Sequence, residues 1–252
     1  MNQEERLVHI LTFLEEEKSL NIKELCDRFH VSRDTARRDI VKLSERGLVT
    51  RTYGGITVPS FFKVVDHYTT RTDEEVKAKE AIGKRAVDFI QADDLVYFDV
   101  STTVSSIPHY LNSQELSVVT NSIDAAQQLI RTEKVNIHLL GGDLNKESRH
   151  LSGSLAMQNL SHFYFNSAFV GALGVSEEGI FYGYAEDIYL KQEIRKRTNR
   201  MIVLADEKKL NQQAHYRGLE IEEVDVLITN GNMPAALQKR FQSAGVEVIE
   251  VK

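Results

Sequence analysis

Residues 31–40, VSRDTARRDI, place three arginines within ten positions of a chain whose formal net charge is −6. Two readings compete. One is a solvated helix face laced with ion pairs, since Asp34 and Arg38 stand four apart, the spacing of helical neighbours. The other is a helix made for a polyanion. Residues 1–60 carry ten Lys or Arg and ten Asp or Glu, so the negative charge lies wholly beyond them. Within that neutral part, residues 28–51 set Arg28, Arg33, Arg37, Arg38, Lys42, Arg46 and Arg51 against Asp34, Asp39 and Glu45. An acidic body bearing one local basic element suits a device that touches a polyanion at a single face.

The flanking sequence supplies the frame. Leu7, Ile10, Leu11 and Leu14 recur at the helical period. Asn21 followed by Glu24 has the form of a capping box and starts a second helix, with Leu25, Cys26 and Phe29 inward. After a turn at His30, Ser32 is a good N-cap for a third helix, onto whose Ala36 Val31 can staple. Ala36, Ile40 and Leu43 face inward there, and Gly47 is the expected stop. Arg33, Thr35, Arg37, Arg38 and Lys42 are left outside. Two short β-type runs, 48–52 and 56–58, flank Tyr53, Gly54 and Gly55 and predict a hairpin. Helix, tight turn, basic helix and hairpin together have the geometry of a winged helix-turn-helix, whose second helix enters a DNA major groove.

The stretches RLVHILTFL (6–14), SRDTARRDI (32–40) and LSERGLVTRTYGGI (43–56) resemble the DNA-binding domain of the DeoR family of bacterial repressors, over about residues 4–58. The resemblance implies double-stranded operator DNA as partner. It places Ser32, Arg33, Thr35, Arg37, Arg38 and Lys42 on the DNA, with Arg51 and Tyr53 on the wing.

The expected organisation is a winged helix-turn-helix over 1–58, a linker over 59–73 and an α/β domain over 74–252. The linker begins near a proline and lacks a period, though Phe61, Phe62, Val64 and Val65 suggest that it packs. Residues 74–90 read as helix. Seven apolar runs follow: LVYFDV, LSVVT, VNIHLL, SAFVGAL, RMIVLA, VDVLIT and VEVIEV. Separated by helices or loops, they predict a mostly parallel sheet covered on both faces.

Ligands of such sheets bind beyond the carboxyl ends of the strands. Asp99 ends the first run and places Ser101, Thr102 and Thr103 at a helix start, a cradle for phosphate. Asn121 and Ser122 end the second, and Gly141 and Gly142, which let a ligand approach the backbone, end the third. Lys208 or Lys209, after VLAD, offers a cation. These ends point to an anionic small-molecule site.

The stretches KAKEAIGKRA, VVTNSIDAA, LLGGDL, FVGALGV and VLADEKKL resemble the effector domain of DeoR-family repressors, which shares its fold with ribose-5-phosphate isomerase and binds phosphorylated sugars. The resemblance runs from about residue 74 to the end and marks Lys209 as the family's lysine. Serine at 101 replaces the glycine of the family's D-x-G-T-T loop, Pro108 interrupts the following helix, and Leu173 stands where many relatives carry an acid.

An isomerase needs a carboxylate base. Leu173 is not one, and Glu177, Glu178, Glu186 and Asp187 read as surface charge, with Asp187 and Lys191 as a helical ion pair. The histidines are scattered, Cys26 lies in the DNA-binding part, and no Walker motif occurs, so neither metal, cofactor nor enzymatic activity is expected. The expectation is a repressor of sugar metabolism genes controlled by a phosphorylated sugar. An isomerase-type enzyme, or a regulator whose second domain mediates only protein interaction, are the alternatives. One cysteine, an acidic start and the lack of an apolar run of membrane length suit a cytoplasmic protein with no membrane partner. Paired operator half-sites imply a homo-oligomer.

Overall fold

Leu7, Ile10 and Leu14 fold as one buried stripe on α1 (Gln3–Glu17). The computed structural model describes residues 3–17, 19–45, 49–52, 54–57, 68–111 and 115–252, in two units, Met1–Phe62 and Lys63–Lys252. In the first unit β1 (Ser19–Asn21) leads into α2 (Ile22–Phe29). The capping box is formed: Glu24 N–H donates to Asn21 Oδ1 at 2.9 Å, and Asn21 N–H donates to Glu24 Oε2 at 2.8 Å. His30 ends α2 in the left-handed region at φ 52°. Ser32 Oγ then accepts from Thr35 N–H at 3.2 Å and starts α3 (Arg33–Glu45). Ala36, Ile40 and Leu43 close the core against Leu7, Ile10, Leu14 and Leu25.

The hairpin is present as β2 (Thr50–Thr52) and β3 (Gly55–Thr57), shifted slightly from the expected runs. The sequence gives no sign that β1 completes it, in the order β1-β3-β2. A three-residue strand with one apolar residue, Leu20, carries no period to detect. Glycine is required at 55, because a Cβ there would stand 2.0 Å from the Leu20 carbonyl oxygen. Arg46, Gly47, Tyr53, Phe61, Phe62, Val64 and Val65 lie outside the described residues.

In the second unit the expected linker needs correction at its end, since residues 68–72 form helix α4 (Tyr68–Thr72) and Tyr68 is buried. Then come α5 (Val76–Ala86), β4 (Leu95–Phe98), a 3-10 helix Val104–Tyr110, β5 (Leu116–Thr120), α6 (Ile123–Leu129) and β6 (Val135–Leu139). A hairpin of β7 (Asp143–Asn145) and β8 (His150–Ser152) precedes α7 (Ser154–Leu160) and β9 (Phe165–Gly171). The chain continues through β10 (Gly174–Ser176), β11 (Gly179–Tyr182), α8 (Ala185–Lys196) and β12 (Thr198–Leu204). It closes with β13 (Tyr216–Leu219), β14 (Val226–Thr229), α9 (Ala235–Ser243) and β15 (Glu247–Glu250).

The seven apolar runs are the seven strands of one sheet, ordered β15-β14-β12-β9-β4-β5-β6 and parallel throughout. Alternate residues enter opposite cores, as strand geometry requires. Tyr97, Val119, Val170 and Val203 pack with Leu160, Ile194 and Phe241 of α7, α8 and α9. Val96, Phe98, Val118 and Ile202 pack with Ile82, Ile107 and Leu129 on the other face. From β4 the chain adds β5 and β6 on one side and then crosses to β9 on the other. That reversal opens a crevice at the carboxyl ends of β4 and β9, the place where open α/β sheets bind ligands. A small antiparallel sheet, β10-β11-β13, adds to the seven strands legible in the sequence.

Candidate functional site

On α3 the inward positions set what faces out. Asp39 is fully buried, and its carboxylate takes Arg6 Nε at 2.6 Å and Gln3 Nε2 at 2.9 Å, tying α1 to α3. The bond to Asp39 raises the Arg6 guanidinium further above its ordinary pKa. An acid counted against the basic stretch is thereby turned inward and neutralised. Arg33, Arg37 and Arg38 are exposed, as is Arg51 on β2. Asp34 lies 3.9 Å from Arg37, not beside Arg38 as the four-residue spacing suggested. Arg37, Arg38, Val41 and Lys42 border one shallow depression. Val41, 39% exposed and missed in the sequence, adds an apolar surface of the kind that meets a thymine methyl. Two expected contacts are partly committed elsewhere. Lys42 is half-buried with Nζ donating to Gln3 Oε1 at 3.1 Å, and the Thr35 hydroxyl is 3.0 Å from Ser32 Oγ. Tyr53 lies outside the described residues.

At the reversal between β4 and β9 the second unit holds a pocket of about 60 Å³. Its floor is an ion pair. Asp99, just past β4, accepts Lys191 Nζ of α8 at 2.6 Å on Oδ1 and the Gly171 N–H at 3.2 Å on Oδ2. The expected pairing of Lys191 with Asp187 is therefore corrected, because Lys191 reaches down to the strand end instead. Asp187 is not plain surface charge either. It lines the same pocket, half-buried, and accepts the Tyr184 N–H at 3.3 Å. Burial pushes its carboxyl up, against the pull of Lys191. His150 lines another wall, with Ser148 Oγ 2.8 Å from Nδ1, and burial lowers its pKa, favouring the neutral ring. Tyr182, at the end of β11, presents its ring 5.0 Å from Lys191 Nζ. Burial, and then Asp99, hold its hydroxyl well above its ordinary pKa. Tyr68 and Arg71 of α4 complete the lining.

Of the expected effector residues the pocket gathers Asp99 and Ser101. The loop differs from a free phosphate cradle, because Ser101 Oγ accepts the N–H groups of Thr103 at 3.2 Å and Val104 at 3.4 Å. Thr103 is buried, and Thr102 lines a separate open cavity of about 920 Å³ that shares Tyr68 as a wall. Asn121 and Ser122 have structural partners. Asn121 accepts the Tyr97 hydroxyl at 2.9 Å and donates to the Leu151 carbonyl, and Ser122 Oγ caps α6 through Ala125 N–H at 3.2 Å. Gly142 makes room for the protein itself, since a Cβ would stand 2.2 Å from the Ser152 carbonyl oxygen. Gly141 and Lys209 do not line the pocket, and Lys209 is buried beyond β12. Lys208 is paired with Glu75 at 2.6 Å. Of the missed residues, Tyr182, Asp187 and Lys191 fall within ten positions of one another, but His150 and Asp99 lie far from them in the chain, and no local spacing announces that the fold brings these together. Among the described residues no group of three His, Cys, Asp or Glu side chains is placed to hold a metal, and no helix is long and apolar enough to cross a membrane.

Residues 6–61 match the family model of the DeoR-like helix-turn-helix domain, and residues 74–231 match that of the DeoR C terminal sensor domain. The HTH-type transcriptional repressor GlcR of Bacillus subtilis is 38% identical over 249 residues, 99% of this chain and 96% of its own. The lactose phosphotransferase system repressor of Staphylococcus epidermidis is 27% identical over 236 residues, 92% of this chain and 94% of its own. Among solved structures, ribose 5-phosphate isomerase A of Methanocaldococcus jannaschii aligns with 54% of this chain and 55% of its own, at 16% identity and a TM-score of 0.40.

Proposed function

The chain belongs to the DeoR family of DNA-binding transcriptional regulators, and from that premise we propose that it represses genes of sugar metabolism and answers to a phosphorylated sugar. The observation that carries the effector half is the buried Asp99–Lys191 pair at the sheet's reversal point. A carboxylate accepts and an ammonium donates, so side by side they match the hydroxyls of a sugar, which do both. The inner pocket holds only one end of such a molecule. The phosphate belongs at the rim, where Arg71 of α4 offers a guanidinium suited to phosphate and Thr102 a hydroxyl.

Coupling requires that the ligand favour one state of the regulator over another. Helix α4 is the first described element after the DNA-binding unit in the chain, and it supplies Tyr68 and Arg71 to the pocket wall. A ligand that engages Arg71 therefore bears on the described element of the second unit that lies nearest in sequence to the DNA-binding unit. Two recognition helices are needed for paired half-sites, so the working species is at least a homodimer. No catalytic role is proposed. Asp99 is committed to Lys191 and Gly171, and Leu173 lines the pocket as an apolar residue.

Melting-temperature shifts with hexose 6-phosphates, pentose 5-phosphates and the corresponding free sugars test the effector reading. At least one phosphate should raise the sensor domain's melting temperature, as any ligand of the folded state does. The free sugar should do so far less. Equal shifts from a sugar and its phosphate would overturn the reading.

A further inference from the structure

Tyr182 is 95% buried by the measure of its 5% exposure, and its hydroxyl oxygen is shielded from solvent with no hydrogen-bond partner among the described residues. Buried polar atoms are partnered almost without exception in folded proteins, so an orphan at a ligand pocket points to a missing partner. The ring is firmly held. Lys191 Nζ stands over it at 5.0 Å, and Gly218 on β13 leaves it space, since a Cβ at 218 would lie 2.6 Å from the Tyr182 ring carbons. The fold thus spends a glycine to admit a phenol whose polar tip it then leaves unmet. A phenylalanine would fill the same apolar space without that penalty.

We propose that Tyr182 is a ligand-binding and specificity-determining residue, whose hydroxyl donates to one hydroxyl or carbonyl oxygen of a polyhydroxylated ligand seated against the Asp99–Lys191 pair. The assignment rests on reading this pocket as the effector site and names the contact that selects among sugars. Burial keeps the phenol protonated at physiological pH, so it is a donor throughout. Lys191 directs one of its three N–H groups to Asp99, which leaves two for the same ligand. A site built to bond one particular oxygen rejects an analogue that lacks it, because a buried group is then left alone. Tyr182 therefore distinguishes ligands by an oxygen at one position, whereas Arg71 recognises only the anion.

The test is calorimetric titration of the full chain and its Tyr182→Phe variant with the sugar phosphate that shifts the melting temperature most, and with that compound's monodeoxy analogues. The variant keeps the ring, the contact with Lys191 and the space beside Gly218, so it should melt no lower than wild type and bind DNA equally well without ligand. It should bind the sugar phosphate about ten-fold or more weakly. One deoxy analogue should lose a similar factor against wild type and nothing against the variant, which identifies the oxygen. Equal affinities of wild type and variant for the parent compound would overturn the assignment, as would deoxy analogues that weaken both proteins by the same factors. If no sugar phosphate binds wild type, the effector reading fails and this assignment with it. If the parent compound binds and Lys191→Met abolishes binding while Tyr182→Phe does not, the pocket stands and only the role of Tyr182 falls.

Discussion

Lys191 Nζ stands 2.6 Å from Asp99 Oδ1, with 1% and 3% of the two side chains exposed. The contact links α8 to the end of β4, 92 residues away in sequence. Charges are seldom taken out of water without a function, because their attraction barely offsets desolvation. This pair forms the floor of the pocket and fixes its polarity.

Removing one partner leaves the other charged and alone. Lys191→Met should lower the stability of the sensor domain by about 3–5 kcal/mol, the typical cost of breaking a buried pair. The double variant Asp99→Asn with Lys191→Met should recover much of that loss. Urea unfolding of the sensor-domain transition measures both; an undisturbed midpoint in Lys191→Met would show that the pair is not buried.

Asp187 gives a pH signature. Its carboxyl is raised above the ordinary 3.8 chiefly by burial. The folded chain therefore holds that proton more tightly than the unfolded chain. The stability this group contributes is complete below 3.8 and is lost as pH rises through the higher folded value. Asp187→Asn removes the loss and can still accept the Tyr184 N–H. Its melting temperature should gain on wild type as pH rises to neutrality. A difference independent of pH would contradict the assignment.

Ser101 and Gly171 fit as a pair. A Cβ at 171 would stand 2.2 Å from Ser101 Oγ and 2.4 Å from its Cβ. Gly171→Ala should destabilise the domain by roughly 1–3 kcal/mol, as overpacking does, and far less when combined with Ser101→Gly. Ser101→Gly alone should also free the Thr103 and Val104 N–H groups and tighten the binding of inorganic phosphate, measurable by calorimetry.

On the DNA side, Arg37→Ala or Arg38→Ala should each cost about 1–3 kcal/mol of specific affinity if the guanidinium reads a base. A residue that touches phosphate alone should instead weaken all sequences alike and flatten the salt slope by about one. Gel-shift titrations at two salt concentrations separate these outcomes. Unchanged binding in both variants would remove α3 from the groove.

Much of this architecture is legible in the chain. The inner strands β4, β5, β9, β12 and β14 are apolar runs because both faces of a parallel sheet are buried there, and the capping box at Asn21 is a local pattern with a local cause. What the chain conceals is long-range. Asp39 looks like one more surface charge until Arg6 is brought beside it, and Lys191 looks like the partner of Asp187 until α8 is laid over the end of β4. The loop at 99–103 is visibly polar in the sequence, yet whether its amides are open depends on where Ser101 Oγ points. Side-chain direction at a strand end is set by packing against neighbours, here Gly171, and not by the loop's own sequence.

If a phosphorylated sugar in the Asp99–Lys191 pocket controls operator binding, as proposed, the bound ligand must change the protein's affinity for its operator. Fluorescence anisotropy measures it directly, using a labelled duplex selected by the protein from random sequence and titrated with and without the sugar phosphate that stabilises the sensor domain. The ligand should weaken operator affinity at least ten-fold for wild type and leave Lys191→Met, tested under conditions where it is folded, unaffected. Operator affinity in wild type that is the same with and without a ligand known to be bound would contradict the account.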